Sequence, residues 1–208
     1  MSLTALERSA LSALLARRAD NAAVYAALTA AKGVREINEI AGLEADPRYR
    51  LIRVDHRLGT AERNEFEIAL VDDVELSVAY YDQVTLVRAP KVSTRYLASN
   101  LAWRSASSRH SLALRDISQK VLFSYLVNHY DILLAANKMA DEGIFYWPRQ
   151  VSRALKKGLH VYTYNPTTQA IQSIPTQRAL DDLQDQVWSG ISQDDLQAII
   201  SISALVLR

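Results

Sequence analysis

Phe66-Glu67-Ile68-Ala69-Leu70-Val71-Asp72-Asp73-Val74-Glu75-Leu76-Ser77-Val78-Ala79-Tyr80 is the stretch that decides the fold class. Phe66, Ile68 and Leu70 alternate with Glu65, Glu67 and Ala69. Val74, Leu76, Val78 and Tyr80 alternate with Glu75, Ser77 and Ala79. A period of two marks strands with one face on a core and one in water. Asp72-Asp73 between them predicts a tight hairpin. On this pattern Glu65 and Glu67 share the solvent face, and the rings of Tyr80 and Tyr81 point to opposite faces. A carboxylate such as Glu67 can take a proton from an amine. Most acids at such positions simply solvate a sheet.

Working toward the N-terminus, Arg50, Ile52 and Val54 alternate with Tyr49, Leu51 and Arg53, which predicts another strand. Residues 45–47 form a turn, and 34–40 fit a helix or an irregular strand. Residues 3–31 are rich in Ala, with Leu3, Leu6, Ala10, Leu14 and Leu15 at helical steps. Arg17, Arg18 and Asp20 interrupt that face, so one helix or two are expected, stopped by Gly33.

Working toward the C-terminus, residues 84–87 extend the sheet and 89–111 are a long polar stretch. Asp116 with Gln119 forms a capping-box-like pair for a helix carrying Ile117, Val121, Leu122, Tyr125 and Leu126, with Asn128 as a left-handed stop. The continuous apolar run 131–136 suits a strand buried on both faces, as in parallel pairing. Pro148 suits a helix start, and Lys156-Lys157-Gly158 a helix end. Residues 159–164 and 170–174 read as strands around an Asn165-Pro166 turn. Pro175-Thr176 opens a helix to Val187, and Ser192 with Asp195 caps another over 196–207.

The expected fold is α/β in the α+β sense: a mixed, mostly antiparallel sheet with flanking helices. It forms one domain over 1–208, with a helical N-terminal segment 1–45, an α/β core 48–175 and C-terminal helices 176–208.

Composition narrows the function classes. The 208 residues hold no Cys, which excludes disulfide scaffolds, cysteine nucleophiles and zinc fingers. A net charge of +1 excludes a chain-wide basic footprint for nucleic acid. No apolar run reaches a membrane span, and Glu7 and Arg8 sit where a signal peptide needs its apolar run. A soluble, cytoplasmic chain is expected. Histidines 56, 110, 129 and 160 show no paired ligand spacing, so no metal is expected. Walker and Gly-x-Gly-x-x-Gly loops are absent, as is Gly-x-Ser-x-Gly.

The main anomaly is a charge asymmetry. Residues 83–115 contain no Asp or Glu, yet hold Arg88, Lys91, Arg95, Arg104, Arg109, His110 and Arg115. At 23 acids in 208 residues about four would be expected. With serines between the arginines and a helix start following, the run reads as an anion site, or as a solvated loop pairing with acids elsewhere.

The order of elements resembles the GNAT superfamily of N-acyltransferases over roughly residues 48–175. In that family an antiparallel meander leads to a helix that binds the acyl-CoA pyrophosphate. A strand, a second helix and a closing hairpin follow. Asp131 to Asn137, Ala140, Tyr146 and Leu155-Lys156-Lys157-Gly158-Leu159 look like its late strand-helix-strand segment. The position matching the family's phosphate loop reads Arg104-Ser105-Ala106-Ser107-Ser108-Arg109. The resemblance implies transfer of an acyl group from acetyl-CoA or another acyl-CoA to an amine. Arg104, Ser105, Ser107, Ser108, Arg109 and His110 would hold phosphates, with Asn137 near the acyl-CoA. Tyr146 would protonate the leaving thiolate, a match of similar pKa values, and Glu67 would accept the amine's proton.

Two other classes remain. One is a non-catalytic GNAT-like module that binds a protein through Trp188 and the apolar segment Leu196, Ile199, Ile200, Ile202, Leu205, Leu207. That segment would equally dock on the chain's own core. The other is nucleic-acid binding through residues 88–115, with Trp103 as a stacking group.

Overall fold

Two alanine-rich helices, α1 (Ala5–Ala16) and α2 (Arg18–Thr29), open the described chain, and their apolar residues cover a sheet. The computed structural model describes residues 5–44, 46–57, 64–135, 143–188 and 197–205. These form a mixed α/β structure with nine strands, mostly antiparallel, and divide into two compact units: 1–86 with 100–125, and 87–99 with 126–208. No helix among them is long and apolar enough to cross a membrane.

In the first unit the strand order is β1 (Val34–Glu36), β2 (Tyr49–Asp55), β3 (Glu65–Asp72), β4 (Ser77–Val87), then β5 (Leu97–Arg104). β1 to β4 pair antiparallel, with Ile52 opposite Ala69 and Ala69 opposite Tyr81. On that face Ile52, Val54, Ala69, Val71, Val78 and Tyr81 pack with Leu15 of α1 and Leu28 of α2. Leu51, Leu70 and Tyr80 stand on the other face and are fully buried. There the Tyr125 hydroxyl accepts a hydrogen bond from Arg53 at 3.0 Å, which places the helical segment 117–125 over that side. The sheet is therefore covered on both faces, and the alternation of residues 65–80 does not mark a wet face. Glu67 is 1% exposed. Asp72 and Asp73 do sit at a hairpin, but residues 73–76 form its turn, leaving Val74 and Leu76 outside the strand and exposed.

In the second unit the first three residues of β5 pair parallel with β6 (Asp131–Ala135), whose other edge is antiparallel to β9 (Gln197–Ser201). β9 pairs in turn with β7 (His160–Tyr164), and β7 with β8 (Ile171–Ser173). The apolar run from Asp131 is thus a strand buried between neighbours, as its composition predicts. Leu97, Tyr162 and Ile199 share one face with Val92. Helix α5 (Gly143–Lys156) packs on β7 and β9, burying Val151 and Ala154, and α6 (Gln177–Trp188) packs on α5. α5 ends in a Schellman motif. Gly158 has φ +73°, its N–H donates to Leu155, and the Leu159 N–H donates to Ala154 at 3.1 Å.

Several local expectations are corrected. The segment expected as a helix over 196–207 contains strand β9, because β6 and β7 offer backbone partners on both of its edges. Ser192 and Asp195 lie outside the described residues. The polar stretch 89–111 contains β5; of the two alternatives for 34–40, residues Val34–Glu36 take the strand. α5 begins at Gly143, so Pro148 lies inside it. Pro148 donates no backbone hydrogen bond there, and its neighbours Trp147, Gln150 and Val151 are buried on one helical face. Asp116 makes no side-chain cap. It adopts φ +58° ahead of α3 (Ile117–Lys120), and its carboxylate accepts from the Gln119 side chain at 2.8 Å instead. Residues 121–126 continue as a π-helix, and Asn128 lies within α4 (Val127–His129) rather than stopping the helix.

Candidate functional site

The acid-free run leaves β5 and enters a loop that uses several of its own hydrogen-bonding groups. Arg104 is exposed, and its Nη2 donates to the Leu114 carbonyl at 3.0 Å. The Ser105 N–H donates to Ala79, and the Ser107 N–H to the Ser105 hydroxyl. The N–H groups of His110, Ser111 and Leu114 close turns onto Ser107, Ser108 and His110. Arg109 pairs with Glu75 at 2.7 Å. The loop from Arg104 to Arg109 carries no glycine, so side chains stand wherever a phosphate would approach its amides. The six phosphate-binding candidates thus lie on one loop, but two of their cations already have partners within the chain.

His110 points inward. It is 5% exposed, its Nδ1 lies 3.1 Å from the Tyr49 hydroxyl, and Asp72 Oδ2 is 3.6 Å away. Burial lowers its pKa against the opposing field of Asp72, so the imidazole is neutral at pH 7. Asp72 Oδ2 accepts from Arg48 Nε at 2.9 Å and Nη2 at 2.7 Å, while Oδ1 accepts the N–H groups of Val74 and Glu75. This cluster ties the loop to the β3–β4 turn.

Glu67 is buried and already engaged within the chain. Arg57 grips both of its oxygens, and the Tyr81 hydroxyl donates to Oε1 at 2.5 Å. Burial and then the Glu67 charge push the Tyr81 pKa well up, so the phenol stays protonated as a donor. Tyr146 lies on α5 and Trp188 ends α6, but their side chains are outside what is described. Asn137 and Ala140 lie outside the described residues. Ile199 and Ile200 of the apolar C-terminal segment are buried in β9, and Leu205 packs against the core of the second unit. Trp103 packs against the core of the first unit. Among the described residues no group of His, Asp and Glu stands where it could hold a metal ion.

Two features escaped the sequence reading. Asp82 on β4 is fully buried, accepting from Asn100 Nδ2 at 3.0 and 3.1 Å and from the Tyr80 hydroxyl at 3.1 Å. Burial pushes its carboxyl up to about 7, against the lowering by Asn100 and Tyr80. The signal was its parity: Tyr80, Asp82 and Val84 share one strand face, and an acid between two apolar residues on a face needs a reason. In the second unit Asp131 is also fully buried, accepting from Ser93 Oγ at 2.5 Å and Arg95 Nη1 at 3.0 Å.

The chain was compared with protein-family models, curated proteins and solved structures, and it matches none of them.

Proposed function

We propose that the protein is a GNAT-like acyltransferase that moves an acyl group from acyl-CoA to an amine. The observation that supports this reading is the layout of the second unit. A parallel β5–β6 pair has a ladder of three residues, α5 joins β6 to β7, and the last strand enters antiparallel between them. Among the described residues the β5–β6 ladder ends at Leu133, and the edge of β6 beyond it is where an extended amide-bearing ligand such as the arm of CoA would pair. In the transfer the thioester C–S bond breaks and a C–N bond forms. The thiolate takes a proton from Tyr146, which recovers one from solvent, and the amine loses one to solvent.

A second reading is a non-catalytic module of the same architecture. The engagement of Arg104 by Leu114 and of Arg109 by Glu75 favours it, since both cations are already used within the chain. For the nucleic-acid reading, Trp103 is partly buried and packs against the core of the first unit.

Thermal unfolding with acetyl-CoA decides between the two. Ligand at about 100 times its Kd stabilises by about 2.7 kcal/mol, a rise of roughly 5–10 °C for a chain of this size. A rise of that order supports the acyltransferase, and its loss in Arg104→Ala/Arg109→Ala places the phosphates on the loop. Tyr146→Phe then lowers the transfer rate without weakening acetyl-CoA binding. An absent rise leaves the binding module.

A further inference from the structure

Residues 87–99 bring Arg88, Lys91 and Arg95 into the second unit with no acid among them. Part of this segment forms one wall of a cleft of about 100 Å³ that Ser203, Ala204 and Leu205 close from the other side. Lys91, Ser93, Thr94 and Arg95 line it. Lys91 and Thr94 are exposed, whereas Ser93 is buried.

Arg95 is held before any ligand arrives. Its Nη1 donates to Asp131 at 3.0 Å and its Nη2 to the Val127 carbonyl at 2.9 Å. The Ser93 hydroxyl supports the arrangement from both sides, donating to Asp131 and accepting the Arg95 N–H at 2.9 Å. A guanidinium carries five N–H donors, so two anchoring bonds fix its plane and leave donors for the cleft it lines. A pre-ordered side chain loses little rotamer freedom on binding. Asp131 offsets one positive charge. Lys91, and Arg88 stacked 4.5 Å from the Tyr96 ring centroid, leave the neighbourhood positive.

Size sets the ligand class. A water molecule needs about 10–15 Å³ of such cleft space, so the cleft takes several waters. That suits one compact head group. We propose that this cleft binds a small oxyanion, a carboxylate or phosphate group, with Arg95 as its fixed donor and Lys91 closing from the solvent side. The inference does not depend on the acyltransferase reading.

The test titrates the full chain with sodium phosphate and, separately, sodium acetate, with chloride holding ionic strength constant. Thermal unfolding is followed for the wild type, Lys91→Glu and Lys91→Arg. Lys91 is exposed, so equal midpoints in chloride alone check that all three fold alike. The expected result is a saturable rise with at least one anion, about tenfold weaker in Lys91→Glu and retained in Lys91→Arg. The anion that binds more tightly identifies the head group. No saturable rise with either anion, or an equal rise in Lys91→Glu, overturns the proposal. Acetyl-CoA is absent throughout, so failure here leaves the acyltransferase reading as it stands.

Discussion

Asn21 on α2 and Val78 at the start of β4 exchange two hydrogen bonds, so a side-chain amide stands in for a neighbouring strand. The Val78 N–H donates to Asn21 Oδ1 at 2.7 Å, and Asn21 Nδ2 donates to the Val78 carbonyl at 3.0 Å. The same Nδ2 donates to Leu15 of α1 at 2.9 Å. One buried residue therefore joins both helices to the sheet, where a residue of its type would ordinarily cap or break a helix.

Asn21→Leu keeps the branched shape and removes all three bonds, leaving buried backbone groups unsatisfied. The expected loss is about 3 kcal/mol, or a midpoint lower by roughly 6–12 °C, read by urea and thermal denaturation. An unchanged midpoint would show that water replaces the amide.

Asp82 makes stability depend on pH. Its folded carboxyl titrates at about 7, above the 3.8 of the free group. Its contribution is therefore fully present below pH 4 and declines as pH rises toward 7 and beyond. Arg53, on the same sheet face with Ile68 between, is engaged by Asp55 and Tyr125 and does not neutralise it. Asp82→Asn keeps the shape without the charge. Its midpoint is expected to exceed that of the wild type at pH 8 and to converge with it at pH 4. Parallel curves over that range would refute the assignment.

Asp131→Ala strands the Arg95 guanidinium at 22% exposure without its carboxylate. Breaking such a pair from one side costs about 3 kcal/mol. Asp131→Asn, which can still accept from Ser93 and Arg95, costs less. Chemical denaturation of the two variants gives the order, and equal losses would mean that packing rather than charge matters here.

Gly158 tests a backbone argument. A Cβ built there meets nothing within 4 Å, so any cost of Gly158→Ala comes from φ +73° and not from a clash. About 1 kcal/mol is expected, with Gly158→Asn milder because asparagine tolerates the left-handed region. Denaturant midpoints read the difference. A stabilising Gly158→Ala would show that the helix end relaxes.

Local chemistry decided much of this protein directly from the order of its residues. The alternation over 49–54 and 65–70, the Gly158 stop and the apolar strand from Asp131 are each set by neighbours within one turn or one strand. The Asn165 turn belongs with them, its Oδ1 accepting the N–H groups of Thr167 and Thr168. Tertiary structure decided the rest. The run 197–201 has no periodicity that separates strand from helix, and it became β9 because β6 and β7 bracket it. Glu67 alternates like a solvent residue, yet helices cover its face and Arg57 neutralises it. The acid-free run keeps its charges in the sequence but loses many of them in space. Arg109 finds Glu75 and Arg104 finds the Leu114 carbonyl. An ion pair falls off with distance through space and not along the chain, so which cations remain for a ligand is settled only when the strands and loops come together.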